Sequence, residues 1–132
     1  MLCLKTGWYD FKRCLAERLE VLNMTLKKLT EIFKDSNEVV FVGVQTVFEG
    51  YSTNTKEKLR ENQLKCELKI PMAHAPGNPE THEIPLIMRN YRSGGTPWAV
   101  IIDPTGKAVY NNFHIDVKPA VQLIENLLAQ KN

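Results

Sequence analysis

The stretch that most constrains the fold is "EVVFVGVQTVF", residues 38 to 48. It is β-branched and aromatic and shows no regular polar alternation, so it reads as a strand with apolar cover on both faces. A strand of that kind is expected to be central in a parallel sheet, and the sheet needs helices on both sides. The chain supplies them. Over "DFKRCLAERLEVLNMTLKKLTEIFKD", residues 10 to 35, Leu15, Leu19, Leu22, Leu26, Leu29 and Phe33 recur at steps of three and four. That spacing draws one apolar helical face, with Asp10 as its N-cap and "DSN" as its stop. The run is too short for a coiled coil, so this long helix is expected to lie on the sheet.

The rest of the chain continues the alternation. In "NTKEKLRENQLKCEL", residues 54 to 68, Asn54 and Glu57 have capping-box spacing, Glu61 and Lys65 form an i,i+4 pair, and Leu59 and Cys66 turn inward. "KIPMAHA" reads as a short strand, "PGNPETHE" as turn chemistry, and "IPLIMRNYRSGG" as a short helix stopped by its double glycine. Two strands, "WAVIID" and "KAVYNNF", follow with "PTG" between them as a hairpin turn. In the closing "DVKPAVQLIENLLAQKN", Val117, Val121, Ile124, Leu127 and Leu128 share one side, with Asp116 as N-cap. "MLCLKT" supplies a first strand ahead of the long helix. A parallel half joined to an antiparallel hairpin makes an α/β sandwich with a mixed central sheet.

A chain of 132 residues and 15.1 kDa without internal repeat or linker fits one domain, residues 1–132. Its 17 basic and 15 acidic residues are dispersed and leave a net charge of +2, which gives nucleic acid little to bind. No apolar run nears the roughly 20 residues that span a bilayer, and "MLCLKTGWYD" lacks a secretory signal's pattern. No membrane partner is expected, and the expected location is cytoplasmic. Cys3, Cys14 and Cys66 are widely spaced, and His74, His82 and His114 lie in different segments. Neither a disulfide framework nor a metal site is expected, and no cofactor is. Asp103 and Asp116 read as a turn residue and a helix cap rather than an acid–base pair.

"RSGGTPWAVIIDPTG", residues 92 to 106, sets Pro97 directly against an apolar strand. On its own the proline fixes a bend at a strand's first residue, a place proline tolerates. The order of elements with Gly-Gly-Thr-Pro ahead of the hairpin resembles the thioredoxin-like fold, a three-layer sandwich with helices flanking a mixed sheet. "VQTVFEGY", "NTKEKLRENQ" and "RSGGTPWAVIIDPTGKAVYNNFHID" are similar to the TlpA-like and peroxiredoxin-like redoxins of bacteria, over about residues 24 to 128. The resemblance implies a cis Thr96–Pro97 bond facing a redox site, with the Thr96 backbone set to pair with an extended partner segment.

The resemblance also implies thiol-disulfide chemistry at a Trp-Cys-x-x-Cys motif between the first strand and the long helix, where the helix N-terminus lowers a thiol's pKa. This chain has no such pair. In one register Trp8 takes the motif tryptophan's place, with Tyr9 and Lys12 at the two cysteine positions. In the other, Cys14 stands close to the first cysteine position and Glu17 replaces the second. Residues 8 to 23 match the family poorly, through divergence or through an altered reading of the gene. The implied activity is a thiol-disulfide oxidoreductase dependent on Cys14 alone, with Trp8, Thr96 and Pro97 binding protein thiols and disulfides or small thiols, and the chain a monomer. A helix beginning near Asp10 instead leaves Cys14 inside it, beyond dipole activation. The alternative activity is then a redox-inactive module that binds a protein partner at the proline edge. Cys3 and Cys66 read as packed thiols, either of which resolves a mixed disulfide only if its Cα lies within roughly 7 Å of that of Cys14.

Overall fold

The computed structural model describes residues 2–6 as backbone and residues 25–130 with side chains. In chain order the elements are β1 (Leu2–Thr6), α1 (helical over 25–32), β2 (Phe41–Val47), α2 (Lys56–Lys65), β3 (Met72–Pro76), α3 (Leu86–Asn90), β4 (Trp98–Ile102), β5 (Ala108–Phe113) and α4 (Val117–Gln130). The strands form a five-stranded sheet in the order β3-β2-β1-β4-β5. β1 runs parallel to β2, and β2 parallel to β3, while β4 is antiparallel to both β1 and β5. The sheet is therefore mixed, with its parallel half and its hairpin meeting at β1. β2 is interior, but the middle place belongs to β1.

The unbroken apolar strands are explained by where alternate side chains go. Phe41, Ala99 and Ile101 pack on one face with Leu26, Leu29 and Phe33 of the α1 region and Ala120 and Ile124 of α4. Val44 and Val100 point the other way, onto a layer that includes Ile87 and Tyr91 of α3 with Val42, Trp98 and Ile102 around them. Period two along each strand thus feeds two helical layers. The step from β2 to β3 continues in the same direction as the step from β1 to β2. Right-handed crossovers therefore set α2 on the α1 side. On α4, Val117, Val121, Leu127 and Leu128 border the core around Ile124, as their spacing predicts. The described part of the long helix ends at residue 32, and the expected cap at Asp10 lies outside the described residues.

Local signals moved by a residue or two. Thr55, not Asn54, caps α2: its hydroxyl oxygen accepts from the Lys58 N–H at 3.2 Å. Asn54 is 8% exposed and its Nδ2 donates to the Glu49 carbonyl. The ion pair on α2 is Lys58–Glu61 at 2.7 Å, i,i+3 rather than i,i+4. Leu59 is buried, while Cys66 is half-buried as the C-cap of α2. α3 stops before the double glycine. Arg92 takes φ 51, its N–H donates to the Arg89 carbonyl, and the Ser93 N–H donates to the Met88 carbonyl. That pair of bonds is a Schellman closure with arginine where glycine is usual. No described helix is long and apolar enough to cross a membrane.

Candidate functional site

The parallel strands β1, β2 and β3 end on the same edge of the sheet, and β4 begins there. Register makes this specific. Thr6, the last residue of β1, is level with Gln45, and Gln45 with His74. Lys5 is opposite Trp98, so Thr6 is level with Pro97. A row His74–Gln45–Thr6 therefore crosses three strands at one height, with Pro97, the residue before β4, next to it.

The Thr96–Pro97 peptide is cis. The Pro97 carbonyl accepts the His114 N–H at 3.2 Å, which ties the head of β4 to the end of β5. Ahead of it Gly95 has φ 155, a conformation that side chains rarely adopt, and a Cβ there would stand 3.5 Å from the Phe113 ring. Trp98 packs edge-on against Phe113 with centroids 5.8 Å apart at 79°. Its indole Nε1 donates to Asn111 Oδ1 at 2.8 Å, and Asn111 Nδ2 donates to the Tyr91 carbonyl at 3.0 Å. Tyr91 is the C-cap of α3, so a relay of two hydrogen bonds fixes the indole to that helix. Phe113 remains 49% exposed beside the proline.

The sequence-predicted site is thus described in part. Thr96 and Pro97 stand at the head of β4, both half-buried. Trp8 and Cys14, with Tyr9, Lys12 and Glu17, lie outside the described residues, as does the Cys3 side chain; the Cys3 backbone pairs with Val42 and Val100 in the middle of the sheet. Cys66 is excluded from the Pro97 edge. It closes α2, which carries the chain back to where β3 starts, at the opposite end of the strands.

The histidines have separate settings. His74 Nε2 meets the Asn54 carbonyl at 2.8 Å, and His114 Nε2 meets Asp116 Oδ1 at 3.2 Å. Among the described residues no group of three or more His, Cys, Asp or Glu could hold a metal ion. Asp103 is a turn residue: its Oδ1 accepts from the Thr105 hydroxyl at 2.6 Å and from the Thr105 and Lys107 N–H groups. The Thr105 hydroxyl does most to hold the Asp103 carboxyl below the usual range. The Glu57 carboxyl is likewise lowered, first by the bond from its own backbone N–H and then by Thr55 at the start of α2.

Three contributors at this edge escaped sequence reading: Asn111, Phe113 and Gln45. Gln45 is 1% exposed, with neither amide atom hydrogen-bonded among the described residues. Its signal was a polar pair, Gln45-Thr46, inside an otherwise apolar run.

A five-stranded mixed sheet in this order, with α1 and α4 on one face, α3 on the other and a cis-proline at the head of the hairpin, defines the thioredoxin-like fold. Two solved structures carry the same architecture. A thiol-disulfide isomerase from Corynebacterium glutamicum superposes with a TM-score of 0.73 at 23% identity, over 96% of this chain and 80% of its own. A thioredoxin-like superfamily protein superposes at 0.69 and 20% identity, over 96% of this chain and 79% of its own. At those identities the likeness establishes the fold. No protein-family model and no curated relative matches the chain.

Proposed function

We propose that this chain is a thioredoxin-like thiol-disulfide oxidoreductase of redoxin type that works through one cysteine, Cys14, in the cytoplasm and as a monomer. The observation that supports the reading is the cis Thr96–Pro97 peptide at the head of β4, next to Trp98, which pairs with Lys5 near the end of β1. In this reading Trp8, Thr96 and Pro97 line the substrate's approach. The Cys14 thiolate attacks one sulfur of a disulfide, the S–S bond breaks, and the departing thiolate takes a proton from solvent. An external small thiol, as its thiolate, then attacks the substrate sulfur of the mixed disulfide. Cys14 leaves as thiolate and a new disulfide departs. With no second cysteine in the motif, the small thiol is a required co-substrate.

The test is the rate of Cys14 alkylation against pH in a Cys3→Ser, Cys66→Ser background, with Cys14→Ser as control. A midpoint well below the ordinary thiol value of about 8.5, together with insulin or peroxide turnover that Cys14→Ser abolishes, supports the reading. Turnover that survives Cys14→Ser overturns it. A midpoint near 8.5 without turnover favours the second reading, a redox-inactive module that binds a protein partner at the Pro97 edge. The missing Cys-x-x-Cys pair and the half-exposed Phe113 support that second reading.

A further inference from the structure

β3 and β5 are the outer strands of the sheet, and an outer strand offers unpaired N–H and C=O groups to any strand laid beside it. Over Ala108–Phe113, β5 has neither the charge nor the proline that commonly blunts such an edge. Its own polar groups do so instead. The His114 N–H donates to the Pro97 carbonyl, so Pro97 and His114 form a hydrogen-bonded pair, and Trp98 and Phe113, the next pair, are not bonded to each other. Phe113 therefore turns its N–H and C=O outward. Neither is bare: Asn112 Oδ1 accepts the Phe113 N–H at 2.7 Å, and the Tyr110 hydroxyl stands 3.1 Å from the Phe113 carbonyl oxygen and 2.8 Å from that of His114. The tyrosine contact has a cause in the sequence. The His114 carbonyl is paired with the Pro97 nitrogen, which has no hydrogen to donate, and Tyr110 supplies a donor in its place. Near the other end of β5 the register skips Val109, a bulge that bends the edge. Between bulge and tyrosine, Asn111 is left with outward backbone groups. On β3 the Gly77 N–H donates inward to the Val47 carbonyl, so Pro76 faces outward with no N–H to offer.

We propose that Tyr110 and Asn112 close the hairpin edge to strand addition, the excluded partner being β5 of a second copy of this chain laid antiparallel to the first. An uncharged strand meets itself without repulsion. A two-fold axis at Asn111 sets Val109 of each copy against Phe113 of the other, and these side chains are 37% and 49% exposed. The closure does not depend on Cys14 or on redox turnover.

The test is sedimentation velocity over a range of micromolar protein concentrations under a reducing agent, on the parent chain and on the Tyr110→Phe, Asn112→Ala double variant. The parent is expected to sediment as a monomer, and the double variant as a dimer that grows with concentration. Adding Val109→Lys, an edge charge, is expected to restore the monomer. Hydrogen exchange at the Phe113 amide in Asn112→Ala alone is expected to quicken about fivefold, the worth of one ordinary hydrogen bond, and serves where the double variant does not fold. A folded double variant that stays monomeric, a dimer that survives Val109→Lys, or an unchanged Phe113 amide overturns the proposal. A parent that already dimerises overturns it together with the monomer proposed above, whereas absent thiol turnover leaves it standing.

Discussion

Thr46 follows Gln45 along β2 and faces the opposite layer, 1% exposed and with its hydroxyl unpaired among the described residues. Where a buried hydroxyl has no partner, an apolar group of the same shape removes a desolvation cost without opening a cavity. Thr46→Val is therefore expected to stabilise the protein by about 1 kcal/mol, read as a higher urea midpoint at unchanged slope; a loss of stability would mean the hydroxyl has a partner in solution. Asp103 behaves in the opposite way, because its carboxylate is fully used by the hairpin turn. Its pKa is lowered in the folded chain, first by the Thr105 hydroxyl. A lowered folded pKa supplies stability above the ordinary aspartate range, and that stability is lost as pH falls through the folded value. Asp103→Ala is thus destabilised at neutral pH, and the gap to the parent closes on acidification. Denaturation midpoints from pH 7 down to pH 2 check this, and a gap that stays constant refutes it.

Two helix ends share one unusual device. α2 closes with Glu67 at φ 54, the Glu67 N–H on the Leu64 carbonyl and the Leu68 N–H on the Gln63 carbonyl, in the same pattern as Arg92 after α3. Left-handed backbone strains a residue with a Cβ, and glycine relieves the strain at some cost in unfolded-chain entropy. Glu67→Gly is expected to raise stability by about 0.5–1 kcal/mol, measured by denaturant unfolding, since the Glu67 side chain is exposed. This device also explains where the sequence was hard to read. Glycine is the usual flag for a helix stop, so Gly94-Gly95 drew the end of α3 past its real closure at Arg92. Asn54 and Thr55 are both good caps, and only the reach of Asn54 to the Glu49 carbonyl decides between them. The strands, by contrast, were legible as elements because β-branched runs can bury both faces. Pro97 was legible because a proline at the head of a buried strand needs a reason. Gln45 and Asn111 were not, since their roles depend on neighbours brought up by register rather than on any period in the chain.

At the scale of the whole molecule, stability and the Pro97 edge draw on different residues. Leu29 is fully buried, in the cluster that joins the α1 region, the sheet and α4. Phe113 is half-exposed and belongs to the rim, touching Trp98 and the ground above Gly95. Truncating a sealed core side chain removes its transfer energy and leaves a cavity, whereas truncating a rim ring loses only partial burial and one aromatic contact. Leu29→Ala is expected to cost about 2–5 kcal/mol and Phe113→Ala about 1 kcal/mol. Function should rank them the other way. Both readings of this protein bring a partner or substrate to the Pro97 edge, so Phe113→Ala weakens that encounter while Leu29→Ala, at a temperature where it remains folded, does not. Denaturation curves and disulfide turnover, or capture of a mixed-disulfide partner, measured on the same two variants give four numbers. If Phe113→Ala proves as destabilising as Leu29→Ala, or leaves turnover and capture intact, the exposed aromatic belongs to the fold and not to the encounter.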